Sequence, residues 1–176
     1  AGSPAAVSEA AWRVVALAVE TIDMTRHQGV HPRIGAADVV PFVPLRGATM
    51  QDCVTLADAL AERLARELDL PIYLYAHAAR RPERARLPWL REPGFEGLAA
   101  ALATAERAPD AGPPRPHPTA GATVVGARDL LLAFNLDLAT RDLVVAKRIA
   151  KAIRASSGGM QGVQARGLTL PLQGRV

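Results

Sequence analysis

The stretch that decides the fold is RHQGVHPRIGAADVVPFVPLRG, residues 26–47. It sets two histidines and three prolines around a short apolar run from Asp38 to Leu45, which predicts a strand. Pro41 and Pro44 cannot donate a hydrogen bond to a neighbouring strand, so we expect this strand at a sheet edge or at a bulge. A segment that serves only to fold does not need so many polar and conformationally restricted residues. Chemistry is therefore expected beside this strand.

Helices and strands alternate on both sides of this stretch. Ser8 is predicted to cap a first helix, and Thr49 with Asp52 predicts the capping box of a second helix, which Pro71 ends. The other predictions are a strand at 71–76, a loop at 77–94, a helix at 95–105, an irregular loop at 108–121, and strands at 130–138 and 163–172 around a helix at 141–155. This order predicts an α+β fold, an α/β sandwich with a ferredoxin-like mixed sheet and helices packed on one face.

The composition is that of one globular domain. The 176 residues are 49% hydrophobic and 22% charged, which is enough apolar material for a core. No apolar run approaches the roughly 20 residues that cross a bilayer, so no membrane association is predicted. The chain has one cysteine, Cys53, which excludes an internal disulfide and favours a reducing compartment, the cytoplasm.

The chain carries an excess of basic residues, with a formal net charge of +4. This excess either reflects overall composition without a functional role or serves to attract an anionic ligand. No aromatic RNA-binding motif, zinc-finger spacing or recognition helix is present in the sequence, and nucleic acid is not predicted as a partner. One cluster, Arg80, Arg81, Arg84 and Arg86, either binds phosphate or carboxylate groups or belongs to a solvated loop.

Two histidines stand four residues apart, a spacing that places two metal ligands on one helical face. Gly29 and Pro32 interrupt a helix there, and no third ligand lies nearby in sequence, so no metal is predicted. His27 is interpreted as a hydrogen-bonded surface residue. His31 is the candidate catalytic residue, because an imidazole can take up and return a proton near neutral pH.

The residues that follow His31 support a catalytic interpretation. Pro32 fixes the backbone next to the imidazole, and Gly35 would allow a ligand to approach the main chain closely. Arg33 could bind a substrate carboxylate and Asp38 could orient a neighbouring group, so both are candidate substrate-orienting residues.

The loop GPPRPHPTAG at 112–121 is a second candidate site. Long irregular loops in compact domains are functional or disordered, and prolines lower the entropic cost of holding one shape. A plain linker would be richer in Ser, Glu or Lys. The loop is therefore expected to form the wall of a binding site.

These residues together resemble the formiminotransferase domain, which occurs alone and fused to a cyclodeaminase. The likeness lies in DMTRHQGVHPRIGAADVVPFVPLRG (23–47), LARELDLPIYLYAHAA (64–79) and APDAGPPRPHPTAGATVVGARDLLLAFNLDL (108–138). It extends over nearly the whole chain, and its longest part, RHQGVHPRIGAADVVPFVP, is specific.

The resemblance implies transfer of a formimino group from N-formimino-L-glutamate to tetrahydrofolate, as in histidine degradation. It places the family's catalytic histidine on His31. It also implies a cytoplasmic enzyme with tetrahydrofolate as co-substrate and no metal, and the exposed edge of the sheet favours a homodimer. The family's folate-contacting loop corresponds to Gly112, Pro113, Pro114, Arg115, Pro116, His117, Pro118, Thr119, Ala120 and Gly121.

Two parts of the family pattern have no counterpart in this sequence. One is a first strand and helix that carry an acidic active-site residue, and the other is the second subdomain. Residues 1–176 are therefore interpreted as the N-terminal subdomain without its first strand and helix. The alternative function is a truncated, non-catalytic folate-binding module of the same family.

Overall fold

The computed structural model describes residues 1–29 and 31–169 of the chain. The chain divides into two compact units, residues 1–130 and residues 131–176. The first unit contains α1 (Pro4–Thr21), β1 (Val39–Phe42), α2 (Met50–Leu68), β2 (Ile72–Ala76), α3 (Leu87–Arg91), α4 (Gly94–Leu102) and β3 (Thr123–Ala127), with a 3₁₀ turn at Pro82–Ala85. The second unit contains α5 (Leu143–Ile153) and a 3₁₀ turn at Ala155–Ser157.

Side-chain caps explain where the two longest helices begin. The hydroxyl of Ser3 accepts from the amide of Ala6 at 3.4 Å, so α1 begins at Pro4 and the predicted cap at Ser8 is wrong. The capping box of α2 is confirmed. The amide of Asp52 donates to Thr49 Oγ1 at 3.1 Å, and the amide of Thr49 donates to Asp52 Oδ2 at 2.8 Å.

The sheet consists of three parallel strands in the order β1-β3-β2. Among the described residues β1 pairs only with β3, which confirms the predicted edge position of a strand that contains Pro41. The α+β class is confirmed at this level. The predicted mixed pairing is wrong, since both strand pairs are parallel, and a ferredoxin-like arrangement is not observed among the described strands.

Helices cover both faces of the sheet, and the prediction of helices on one face is wrong. On one face α1 contributes Val15, and α2 contributes Leu60 and Leu64, to a buried cluster that contains Leu74 of β2. On the other face α3 and α4 contribute Leu90 and Leu98 to a second cluster, which also contains Ile34, Tyr73, Tyr75 and Val124. Every residue of the central strand β3 is buried, because a parallel sheet is covered on both sides.

The third strand differs from its prediction. We expected it at 130–138, but β3 is Thr123–Ala127, and residues 130–138 form neither helix nor strand. Leu132 is 84% exposed and Phe134 is 81% exposed. A strand forms by pairing with a neighbouring strand. β3 has one on each side, whereas no strand of the described residues runs beside 130–138.

Two further predictions are corrected in part. The segment at 77–94 is not a plain loop, since it contains a 3₁₀ turn and α3. No strand forms at 163–169, and the rest of the strand predicted at 163–172 lies outside the described residues. Among the described residues, no helix combines the length and the apolar character that a membrane span needs.

Candidate active site

The two candidate segments lie together at the amino-terminal edge of the sheet. Asp38 directly precedes β1, and Gly121 lies two residues before β3. The loop begins beside β2, where the amide of Ile72 donates to the carbonyl of Ala111 at 2.9 Å. The loop at 112–121 therefore runs along this edge from β2 to β3.

Main-chain hydrogen bonds join the His31 segment to the end of this loop. They connect Ala36 N with Ala120 O at 2.9 Å, Ala122 N with Ile34 O at 3.1 Å, and Met24 N with Thr119 O at 2.8 Å. The structure thus brings together two stretches that lie about ninety residues apart in sequence.

Two glycines allow this contact. A Cβ on Gly35 would lie 2.0 Å from the carbonyl oxygen of Ala122, and a Cβ on Gly121 would lie 2.2 Å from that of Ile34. Gly121 also has φ +72°, a conformation that side chains rarely adopt. The close approach predicted at Gly35 exists, but the approaching group is the chain's own loop.

His31 is exposed, and one of its ring nitrogens is engaged. Nδ1 lies 2.9 Å from the carbonyl oxygen of Pro32. A carbonyl can only accept, so Nδ1 carries the hydrogen and donates it. In the neutral ring Nε2 then holds the lone pair, and no described residue forms a hydrogen bond with it. His31 therefore presents a proton acceptor to solvent.

Arg33 is held by Glu96 of α4. Its guanidinium donates to both carboxylate oxygens, at 2.8 Å and 3.2 Å, and also to the carbonyl of His27 at 3.0 Å. The Arg33 guanidinium lowers the pKa of Glu96 from its ordinary value. Arg33 Nε lies 3.3 Å from His27 Nδ1, so His27 contacts this arginine.

Asp38 closes the turn that follows His31. Its Oδ1 accepts from the amide of Ile34 at 2.8 Å, and its Oδ2 accepts from the guanidinium of Arg91 in α3, with Nε at 2.7 Å. Asp38 thereby orients the main chain of the His31 segment. Whether Arg33 and Asp38 also orient a substrate stays a prediction.

The loop at 112–121 is anchored at both ends. At its start, Arg115 forms an ion pair with Asp69 at 2.6 Å. At its end, His117 and Gly121 exchange main-chain hydrogen bonds of 2.9 Å and 3.0 Å, and His117 Nδ1 accepts from the amide of Ala120 at 3.1 Å. His117 therefore stabilises the turn through an unprotonated Nδ1.

The arginine cluster at 80–86 is divided by the fold. Arg84 is 1% exposed and forms a buried ion pair with Asp110 at 2.7 Å, while its other contacts are main-chain carbonyls such as that of Ala108 at 2.6 Å. Arg84 is therefore structural, which the sequence interpretation of a solvated or ligand-binding cluster missed. Arg80 lies 3.6 Å from Asp58, and Arg86 is exposed.

Sequence reasoning also missed Glu96 and Arg91, which hold Arg33 and Asp38. They stand 63 and 53 residues from their partners, and no local pattern connects them.

Among the described residues, no three His, Cys, Asp or Glu side chains form a group that could hold a metal ion.

Comparison with known proteins identifies the family to which the sequence is similar. The formiminotransferase domain, N-terminal subdomain, matches residues 1–128, close to the end of the first compact unit. The chain is 48% identical over 169 residues to glutamate formimidoyltransferase of Streptococcus pyogenes serotype M1, which covers 96% of the chain and 56% of that relative.

Two further proteins from other organisms are also similar to the chain. The formimidoyltransferase-cyclodeaminase of Sus scrofa is 50% identical over 159 residues, 90% of the chain and 29% of that protein. The glutamate formimidoyltransferase of Thermoplasma acidophilum is 46% identical over 158 residues, 89% of the chain and 52% of that protein. The chain thus spans about half the length of the glutamate formimidoyltransferases that it matches. With a match over residues 1–128 and this degree of identity, the chain belongs to the formiminotransferase domain family.

Proposed function

We propose that this chain is part of a glutamate formimidoyltransferase, which moves the formimino group of N-formimino-L-glutamate to tetrahydrofolate in histidine degradation. The names of the similar proteins support this activity. The observation that carries the proposal is the hydrogen-bonded junction between the His31 segment and the loop at 112–121. The residue expected to move protons and the loop expected to contact folate form one surface.

The reaction needs proton transfer at two nitrogens. The folate nitrogen attacks the formimino carbon and loses a proton as a tetrahedral intermediate forms, and the glutamate nitrogen gains a proton as its bond to that carbon breaks. His31 can serve both steps, because Nε2 has its lone pair available while Nδ1 donates to Pro32. The carbonyl of Pro32 sets this tautomer, so His31 starts as the base and becomes the acid.

The loop at 112–121 forms the folate-binding wall in this proposal. Its ends are fixed by Arg115 with Asp69 and by the turn at His117, which limits the entropy that binding would cost. Asp38 and Arg33 keep the His31 segment in place from the other side. We also propose the cytoplasm as the compartment and a homodimer as the assembled form.

Replacement of one histidine tests the proposal. His31→Ala should lower the rate of formimino transfer by about 10²- to 10⁴-fold, the usual contribution of general acid–base catalysis, with little change in tetrahydrofolate affinity. The measurements are glutamate release from N-formimino-L-glutamate and calorimetric titration with tetrahydrofolate, on the protein as its gene encodes it. His77→Ala is the matched control, because His77 is also an exposed histidine of the first unit.

Each result has a distinct meaning. Equal transfer rates in His31→Ala and wild type would refute the role of His31. Tetrahydrofolate binding by the wild type without any transfer would favour the non-catalytic folate-binding module. A wild type that neither binds folate nor releases glutamate would refute the proposed function.

A further inference from the structure

Tyr75, near the end of β2, has a buried hydroxyl that no described residue satisfies. The residue is 4% exposed, and its hydroxyl forms no hydrogen bond with any described residue. Its ring lies against Gly126 of β3, where a Cβ would be 2.3 Å from a ring carbon. Gly126 thus leaves the space that the ring occupies. A buried hydroxyl without a partner costs free energy, so a polar group that satisfies it would be favoured.

Arg128 follows β3 and presents a second unsatisfied group beside this ring. Its Nε is buried and has no hydrogen-bond partner, and it forms no ion pair among the described residues. Arg128 stands two residues after Gly126, so its side chain lies on the same face of β3 as the Tyr75 ring. Burial raises the pKa of Tyr75, while the charge of Arg128 and a polar contact with it lower that pKa. That contact does not reach the geometry of a hydrogen bond for either group.

The charges around this pair do not balance. The charge of Arg91 also acts on Tyr75, but Arg91 already binds the carboxylate of Asp38. Arg91 is thus already paired, and among the described residues Arg128 has no carboxylate counterion. A partly buried, unpaired charge is unfavourable, which indicates an anion that the described residues do not supply.

This pair lies on the same face of the sheet as the candidate active site. Tyr75 belongs to the cluster that contains Ile34, three residues after His31. Asp38 connects the two places, because it accepts from Ile34 through one oxygen and from Arg91 through the other. Tyr75 and Arg128 lie at the carboxyl ends of β2 and β3, so a ligand that reaches both them and the His31 segment would extend along this face from one edge of the sheet to the other.

We propose that Arg128 and Tyr75 bind a glutamate carboxylate of the substrates. A guanidinium presents a planar pair of donors that matches the two oxygens of a carboxylate, and the phenol adds a third donor. The inference rests on the proposed function, in which both N-formimino-L-glutamate and the tail of tetrahydrofolate carry such a carboxylate. The two residues are binding residues and take no part in the proton transfer.

Titration of four variants tests the inference, on the protein as its gene encodes it. Three of them are Arg128→Gln, Arg128→Lys and Tyr75→Phe. The fourth, Arg86→Gln, is the control that removes the same charge elsewhere, since Arg86 is exposed. Each is titrated with N-formimino-L-glutamate, with tetrahydrofolate and with tetrahydropteroate, which lacks the glutamate. Arg128→Gln should weaken one of the first two ligands by about 10- to 100-fold, the usual value of hydrogen bonds to a charged group, and Arg128→Lys should recover part of that loss.

The pattern of losses identifies the carboxylate. If Arg128→Gln binds tetrahydrofolate more weakly but tetrahydropteroate as tightly as wild type, the bound carboxylate belongs to the glutamate tail of folate. If it binds N-formimino-L-glutamate more weakly, the bound carboxylate belongs to the formimino donor. Tyr75→Phe should weaken binding of the same ligand without lowering the melting temperature, because the lost hydroxyl forms no hydrogen bond with a described residue. If Arg128→Gln binds both glutamate ligands as tightly as wild type, the inference is wrong while the proposed function stands.

The carboxylate site can also be tested if the proposed function fails. If the wild type binds neither substrate, the proposed function fails. Carboxylate binding at Arg128 and Tyr75 is then tested with glutarate, a simple dicarboxylate. NMR of the Arg128 Nε–H group, assigned by its loss in Arg128→Gln, should show a shift on titration with glutarate. An unmoved signal would overturn the inference.

Discussion

Gly35→Ala should separate the His31 segment from the loop at 112–121. The new Cβ would lie 2.0 Å from the carbonyl oxygen of Ala122, and such contacts do not occur below 3.0 Å, so the main chains must move apart by about 1 Å. The hydrogen bonds from Ala36 to Ala120 and from Ala122 to Ile34, now 2.9 Å and 3.1 Å, would then break.

The expected loss of stability follows from these two effects. Two hydrogen bonds are worth about 1–3 kcal/mol together, and an overpacked backbone contact costs about 1–3 kcal/mol. The free energy of unfolding should therefore fall by about 2–6 kcal/mol. Formimino transfer should fall by about 10²-fold in molecules that remain folded, because a shift of about 1 Å misplaces His31 against the folate wall.

Urea unfolding followed by tryptophan fluorescence measures the first quantity. Both tryptophans, Trp12 and Trp89, lie in the first unit, so the signal reports on the unit that contains the junction. Gly97→Ala is the matched control. Its Cβ would meet nothing closer than 3.5 Å inside α4, and it should stabilise the unit by about 0.5–1 kcal/mol. An unchanged unfolding midpoint and transfer rate in Gly35→Ala would refute the reasoning.

Two further outcomes are expected. Tyr73 donates its hydroxyl to Arg107 O at 2.7 Å, and burial raises the pKa of Tyr73 to about 12. Because the unfolded chain ionises this phenol near pH 10, the contribution of Tyr73 to stability is complete below that pH and falls by about 3 kcal/mol as the pH rises from 10 to 12. Urea unfolding should show a smaller fall in Tyr73→Phe, and an equal fall in both proteins would contradict this. Asp110→Asn should destabilise the fold by about 3–5 kcal/mol, since it leaves the buried Arg84 without its counterion, as a lowered thermal midpoint would show. The exposed Arg115–Asp69 pair is its control, and a similar small effect for Asp69→Asn and Asp110→Asn would show that the burial of Arg84 does not matter.

Much of the local structure could be predicted from the sequence. The capping box at Thr49, the edge strand with Pro41 and the irregular loop at 112–121 depend on residues close together in the chain. Proline cannot donate in a ladder, and a Thr side chain caps the helix that follows it, so these patterns keep their meaning in any fold.

The third strand could not be predicted in the same way. Residues 130–138 have the more apolar sequence, yet Thr123–Ala127 is the strand, because its neighbours on both sides are there to pair with it. Strand formation depends on a partner that the local sequence does not show.

His31 and the loop were recognisable from residue type and spacing, since histidine is suited to proton transfer and clustered prolines to a fixed loop. Three other features depended on the tertiary structure: the junction at Gly35 and Gly121, the ion pair of Glu96 with Arg33, and the position of Arg128 beside Tyr75 without a counterion among the described residues. The physical reason is distance along the chain: a side chain's chemistry belongs to the residue, but its partner, its burial and the balance of charge around it exist only after remote segments have packed together.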